Sequence, residues 1–359
     1  MAINVCTPVN DLGYGTVGRN LVKAFHKIGT EPSLFPIGNA VVPSDELELF
    51  QKASERAKFY NAHTPSFRLW HAWDLAQHPT RGKRSAATFF ELDTLKLEEV
   101  YQLNQMDYVF AFGNWAKEVM RKNGVTSQIE TIHCGVDREV FAEKPLPVGG
   151  PTRFINAGKW EIRKGHDVLL QAFMRAFGPD DDVELVMLCD NPFLSPEETN
   201  EWVDYYKKSL LGSKIRIPMR LQTHKEVADL FATCHCGVFP SRGEGWNLEA
   251  LELLSMGRHV IATPVTAHTD YLNGENSILV PVGGKEKAWD GKWFFGNGNW
   301  HQLTQLTIEA LANGMKTMHR LRKEGVMSLN EVGIDTAKKL SWETAAQKIC
   351  ETLGVSYVL

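Results

Sequence analysis

Two glutamates, Glu244 and Glu252, stand with seven residues between them in the run Phe239–Val265. Gly243-Glu244-Gly245 reads as a short loop, and Leu248, Leu251 and Leu254 then recur at the spacing of a helix with one apolar face. Glu249 and Glu252 share another face of that helix, Gly257 is placed to end it, and Val260-Ile261-Ala262 reads as the next strand. A helix start presents N–H groups backed by the helix dipole, which suits an anion such as a diphosphate. At the rise of an α-helix, Glu252 falls ~9 Å along the axis from Trp246. That is close to the span from a pyrophosphate to its ribose hydroxyls. The backbone of Gly245, Trp246, Asn247 and Leu248 is thus a candidate phosphate cradle, with Glu252 a candidate ribose ligand. The plainer alternative is an amphipathic helix with two solvated glutamates.

A second cluster, Gly158-Lys159-Trp160-Glu161-Ile162-Arg163-Lys164-Gly165, follows a predicted strand and precedes an apolar helix. Lys159 and Lys164 therefore project from the carboxyl end of that strand. A departing phosphate gathers negative charge as its bond breaks, and ammonium groups in a water-poor site stabilise such charge. A solvated basic turn is the competing reading. A third signal, Gly13-Tyr14-Gly15-Thr16-Val17-Gly18, reads as a glycine loop ahead of a helix over Arg19–Ile28. Gly13 and Gly15 would let backbone approach a ligand. Literally the run is G-x-G-x-x-G, which raises an NAD-dependent oxidoreductase as an alternative function. Four residues intervene before the first glycine, however, and Ser33–Gly38 ends without an acidic ribose partner.

The E-x7-E pattern in its strand–loop–helix setting resembles the donor site of the retaining glycosyltransferases of group 1 (family four, GT-B fold). Gly245-Trp246-Asn247 stands where the family commonly has Gly-Phe-Gly. Lys159 and Lys164 match the family's basic pair, an arginine or lysine after the first glycine and a lysine five residues later. Gly135-Val136-Asp137 with Phe141, then Thr263-Pro264, Asp270-Tyr271 and Asn276–Val280, extend the resemblance over about Ile3 to Val282. The resemblance implies an α/β protein of GT-B class: two Rossmann-like domains whose parallel sheets face a central cleft. It implies transfer of a sugar from a nucleotide diphosphate donor to an acceptor hydroxyl with retention, without metal or cofactor. Lys159 and Lys164 would stabilise the departing diphosphate and Glu244 would bind sugar hydroxyls. Many members carry a histidine after the fourth strand of the first domain; here Thr88–Asp93 has none, and Glu91 occupies that region. His71, between Trp70 and Trp73, is the other candidate for a substrate contact. A non-catalytic sugar-nucleotide-binding protein would keep Glu252 but have little need of the lysines.

These groups must be positioned by the alternating strands and helices read along the 359 residues, a length that fits two domains. The Pro145–Pro151 run divides 1–147 from 151–339, with the final helix near Trp342–Leu353 returning to the first domain as the resemblance implies. A net charge of −4 gives no global attraction to nucleic acid or membrane. An acceptor could be glycan, lipid or a polymer such as modified DNA, with Arg81-Gly82-Lys83-Arg84 the best basic cluster for an acidic one. No membrane span or secretory leader is expected, and six scattered cysteines point to a cytoplasmic protein. Cys234-His235-Cys236 and Asp180-Asp181-Asp182 lack partners at metal-site spacing and read as a strand and a loop. Trp289–Trp300, rich in aromatics and glycine, reads as an inserted loop docked on its own domain, with an acceptor platform as the alternative.

Overall fold

The computed structural model describes residues 2–358. Contacts divide the chain into two units, residues 1–137 with 340–359 and residues 138–339. In the first, the elements are β1 (Ala2–Thr7), α1 (Gly13–Lys27), β2 (Glu31–Pro36), α2 (Leu47–Ala57), β3 (Ser66–Leu69), β4 (Arg84–Thr88), α3 (Leu97–Leu103), β5 (Tyr108–Phe112), α4 (Asn114–Lys122) and β6 (Gln128–Ile132). Its six strands are parallel in the order β2-β1-β3-β4-β5-β6. Ile3, Val5, Phe67, Val109 and Phe110 are fully buried, as expected of central parallel strands covered on both faces. Pro32 and Pro36 sit in β2, at the sheet edge where a missing N–H is tolerated.

The second unit runs β7 (Thr152–Gly158), α5 (His166–Ala176), β8 (Val183–Cys189), α6 (Pro196–Lys207), β9 (Ile215–Arg216), α7 (His224–Ala232), β10 (Cys236–Phe239), α8 (Leu248–Ser255), β11 (His259–Ala262), β12 (Ile278–Leu279), β13 (Lys285–Trp289), β14 (Phe295–His301), α9 (Gln305–Lys323) and α10 (Glu331–Lys339). Its main sheet is also parallel, in the order β12-β11-β10-β7-β8-β9. Strand order therefore reverses between β7 and β10, the switch point where open α/β sheets bind ligands. In the first unit the corresponding point lies between β1 and β3. Ser195 and Thr223 cap α6 and α7, each with a glutamate three residues on reaching back to the cap. The last helix, α11 (Trp342–Leu353), packs on α1.

Three features depart from the sequence reading. The Pro145–Pro151 run lies inside the second unit. It is held there because Arg258 donates to the carbonyls of Lys144 and Pro145 and Ser255 to that of Phe141. Trp289–Trp300 is an antiparallel hairpin, β13–β14, with Trp289 opposite Phe295. Finally, Gly13, Gly15 and Gly18 form no loop, because all three lie within α1. A Cβ on Gly15 would come 2.1 Å from Asn10 Oδ1, and one on Gly18 2.1 Å from Thr7 Oγ1 and 2.3 Å from the Pro8 carbonyl. These glycines let the helix lie against the strand it follows. Cys234, Cys236 and His235 are buried, with His235 Nδ1 accepting from the Arg153 N–H. Among the described residues no helix is long and apolar enough to cross a membrane.

The glycine contacts make two variants diagnostic. Gly18→Ala is expected to destabilise the protein by ~1–3 kcal/mol through overpacking. Gly13→Ala, whose Cβ meets nothing within 4 Å, should be neutral or stabilise by up to ~1 kcal/mol. Thermal unfolding of the full chain reads both, and equal melting temperatures for the two would contradict the packing role.

Candidate functional site

At the switch point of the second sheet, the segments after β7 and β10 lie side by side, joined by the Arg242 N–H donating to the Arg163 carbonyl at 2.7 Å. Gly158 ends β7 at φ 139°, where a Cβ would stand 2.9 Å from Lys164 Cε. The glycine thus lets the Lys164 side chain fold back across its own strand end. A short 3-10 turn, Ile162–Lys164, then feeds α5.

Glu244 is buried there among donors. Its Oε1 accepts from Lys164 Nζ at 2.9 Å and Ser241 Oγ at 2.7 Å, and its Oε2 from Arg163 Nη1 at 2.8 Å. Arg163 also donates to the Gly243 carbonyl at 2.7 Å and pairs with Glu161 Oε2 at 2.7 Å. The other oxygen of Glu161 lies 2.9 Å from Lys159 Nζ. The result is a chain of alternating charge, Lys159–Glu161–Arg163–Glu244–Lys164, with three cations to two carboxylates. Burial pushes the Glu161 carboxyl up, but the charges of Arg163, Lys159 and Lys164 overcome it and hold the group at about 2. Burial likewise opposes ionisation of Glu244, and Lys164 and Arg163 outweigh it, leaving the carboxyl well below the usual range. For Lys164, burial favours the neutral amine, while Glu244 and Glu249 reverse the balance and raise its pKa. His166, fully buried, is depressed to about 3 by burial and by the Lys164 charge. As neutral imidazole, its Nδ1 accepts from the Glu161 N–H and its Nε2 donates to Asn156 Oδ1.

The backbone of Glu244 is fixed as firmly as its carboxylate. Its N–H donates to Thr266 Oγ1, whose hydroxyl donates back to the Glu244 carbonyl, both at 2.7 Å. Beyond it, Asn247 adopts φ 78° as the N-cap of α8, a left-handed conformation that asparagine tolerates better than most residues. Its Oδ1 accepts from the Ala250 N–H, and its Nδ2 donates to His268 Nε2 at 2.9 Å. His268 Nδ1 in turn donates to the Thr263 carbonyl. The indole of Trp246 is buried, stacked on Tyr271 at 5.0 Å, so only the backbone of this residue is available to a ligand. Ala250, Leu251, Leu253 and Leu254 pack inward from α8, and Glu249 and Glu252 remain half-buried on the other side.

In the first unit, Tyr14 gathers the candidate residues near the β1/β3 switch point. From the first turn of α1, its hydroxyl contacts Thr88 Oγ1 and donates to the Phe89 carbonyl at 3.1 Å, and accepts from the Phe89 N–H. Its ring lies 4.8 Å from that of His71, which stacks on the exposed Trp73 at 5.6 Å and 9°. The charge of Glu91 is felt at the Tyr14 hydroxyl, so Glu91 belongs to the same neighbourhood. Gly13 and Gly15 flank Tyr14 on the helix, Gly15 buried and Gly13 exposed.

The structure thus joins Lys164 and Glu244 directly and Lys159 to them through Glu161 and Arg163. Lys159 is the outlying member, with its side chain 43% exposed and its ammonium 5.7 Å from the Phe193 ring centre. Sequence reasoning missed Glu161, Arg163, His166 and Tyr14. Arg163 and Glu161 stood inside the basic motif, where a mixed-charge run signals an internal pair as readily as a solvated turn.

The model of the family described as glycosyl transferases, group 1, matches residues 151–290. An uncharacterized glycosyltransferase of Methanocaldococcus jannaschii is 25% identical over 259 residues, 71% of this chain, which there spans 62% of that relative's length. Among solved structures, sucrose-phosphate synthase from Thermosynechococcus elongatus superposes with a TM-score of 0.70 at 18% identity, over 98% of each chain. The Anabaena protein HepE, solved in complex with UDP and glucose, gives 0.71 at 13% identity over 99% of each chain. The fold is therefore GT-B, with two Rossmann-like units. The match to the group 1 glycosyl transferases lies within the second unit, over residues 151–290.

The depressed carboxyls give the site an acid signature. Glu161 binds its proton near pH 2 in the folded chain against 4.5 ordinarily, and Glu244 is shifted the same way. The unfolded chain therefore takes up protons first as pH falls. The stability these groups contribute is complete above about pH 5 and drains away as pH drops from there towards 2. Urea midpoints measured across that range should show the decline, and Glu244→Gln should flatten it.

Proposed function

We propose that the protein transfers a sugar from a nucleotide diphosphate donor to an acceptor hydroxyl with retention of configuration, using its own cations in place of a metal. The observation that carries this reading is the surplus of positive charge at the β7/β10 switch point, next to the start of α8. Glu161 and Glu244 offset the buried Arg163 and Lys164, which leaves the part-exposed Lys159 as the extra cation facing an anionic ligand. Backbone amides at Gly245–Leu248, backed by the α8 dipole, add to that preference.

In this mechanism the bond from the anomeric carbon to the phosphate oxygen breaks as Lys159 and Lys164 offset the charge gathering on the diphosphate. The acceptor oxygen bonds to the same carbon from the same face, and its proton passes to the departing phosphate oxygen. Glu244, ionised throughout the neutral range, accepts from sugar hydroxyls, and Glu252 from the ribose. The complex of HepE with UDP and glucose supports a nucleotide-sugar donor for this chain too. Acceptor contacts fall to the first unit, where Trp73, His71 and Glu91 offer an aromatic face and a carboxylate to a glycan, lipid-linked sugar or modified nucleic acid. A cytoplasmic setting goes with this reading.

Thermal stabilisation against uridine, guanosine and adenosine diphosphate sugars tests donor binding and identifies the base. Lys164→Ala should lower turnover at least ~100-fold, the worth of one oxyanion-type contact. Near-normal turnover in a folded variant would remove it from the mechanism. Glu252→Ala should weaken donor binding more than turnover, and an unchanged donor constant would refute the ribose assignment.

A further inference from the structure

A β-branched residue seldom takes a positive φ, because its side chain crowds the backbone there. Thr266 does so, at φ 47°, and it is buried. Among the described residues, the one other non-glycine at positive φ is Asn247, at 78°. Both belong to the site: Thr266 opens the 3-10 turn Thr266–Asp270 after β11, and Asn247 caps α8. Conformations of this kind persist where surrounding contacts over-determine them, and they gather where ligands are held. Glycine would serve the turn out of β11 without strain, but it has no side chain. What threonine supplies is a hydroxyl bonded to both polar groups of one peptide residue, the N–H and the carbonyl of Glu244. Its branched Cβ stiffens χ1, so the hydroxyl is held in that double role.

The neighbours of Thr266 continue the pattern. The Ala267 N–H donates to the Glu244 carbonyl at 3.3 Å. His268 accepts from Asn247, and the Tyr271 hydroxyl donates to the carbonyls of Trp246 and Asn247 at 3.1 and 2.9 Å. Ahead of the turn, Thr263 donates to the Ser241 carbonyl at 2.6 Å. The stretch 263–271 thus grips the loop 241–247 at Ser241, Glu244, Trp246 and Asn247. We propose that Thr266 is a positioning residue of the diphosphate site: its hydroxyl locks the Glu244 peptide and so directs the Gly245–Leu248 amides before a ligand arrives. The inference rests on the donor reading above. Thr263, Thr266 and His268 are all buried, so they act on a ligand through the loop and not by touching it. A loop fixed in advance loses little conformational freedom on binding, so the effect falls on affinity.

The probes are uridine, guanosine and adenosine diphosphate, with affinity taken from thermal stabilisation of the full chain. Against the diphosphate that wild type binds best, Thr266→Ala should lose affinity at least ~10-fold, while Thr266→Ser, which keeps the hydroxyl, should stay within ~3-fold. Without ligand, amide hydrogen exchange across residues 243–248 should quicken in Thr266→Ala. Thr152→Val removes a buried hydroxyl bonded to His319 at the amino end of β7. It should lower the melting temperature but leave affinity and that exchange alone. Strain is read separately: Thr266→Gly should melt above Thr266→Ala, the reverse of the usual order, because φ 47° suits glycine and not alanine. Should Thr266→Ala fail to fold, Thr266→Gly carries the affinity and exchange comparisons. A wild type that binds none of the three diphosphates removes the donor reading and this inference with it. Where wild type binds, unchanged affinity or exchange in the variants lacking the hydroxyl overturns the inference alone. So does serine failing as alanine does, or alanine melting as high as glycine.

Discussion

The interaction on which the second unit's architecture turns is the buried fork of Arg163 between Glu161 and Glu244. Removing two carboxylates from water is costly, and the cost is recovered only where cations and hydrogen bonds meet nearly every oxygen. Arginine does this where lysine could not, because its planar donors reach Glu161, Glu244 and the Gly243 carbonyl at once. Lys164 completes the set on Glu244, with Ser241. Every member of the network comes from the segments after β7 and β10, so the two strand ends cannot separate without exposing unpaired charge.

Around that fork, neutral groups fix the remaining freedom. His166 ties the Glu161 N–H to Asn156 on β7, and Asn156 donates to the Val238 carbonyl on β10, bridging the strands beneath the ion pairs. Arg242 makes a two-pronged pair with Asp167 at 2.8 Å and reaches the Ile162 carbonyl, closing the 3-10 turn onto the start of α5. Its guanidinium also lies 5.9 Å from the Trp300 ring centre and 3.4 Å from Glu286, so the hairpin is keyed to the same framework. The switch-point network and the β13–β14 hairpin are thus joined through Arg242 within this unit.

Much of this was legible in the sequence, for identifiable reasons. Buried parallel strands such as Tyr108–Phe112 are short apolar runs, and α8 and α11 carry strong apolar periodicity, so elements of this kind are readable from local pattern. The loop and helix that carry Glu244 and Glu252 were readable because the leucine period over Leu248–Leu254 is local. The glycine run misled because three glycines argue against helix by propensity. What decides the matter is contact with Asn10 and Thr7, which belong to the preceding strand and its connection. Arg163 was invisible for a related reason: its partner Glu244 lies 81 positions away, and no local pattern reports a pairing made by strand order.

The depth of the Glu244 pairing also constrains how any anion could enter. Its carboxyl sits so far below the usual range that it stays ionised at neutral pH, and protonation cannot release Lys164. The exchange has to occur at the level of hydrogen bonds. A ligand reaching Lys164 has to compete with Glu244 for the hydrogen bonds of its ammonium. Arg163 need not move in this exchange, because its bonds to Glu161 and Gly243 persist. The network therefore combines an arginine that bridges Glu161, Glu244 and the Gly243 carbonyl with lysines that each meet a carboxylate as a point charge, a division that follows from the chemistry of the two side chains.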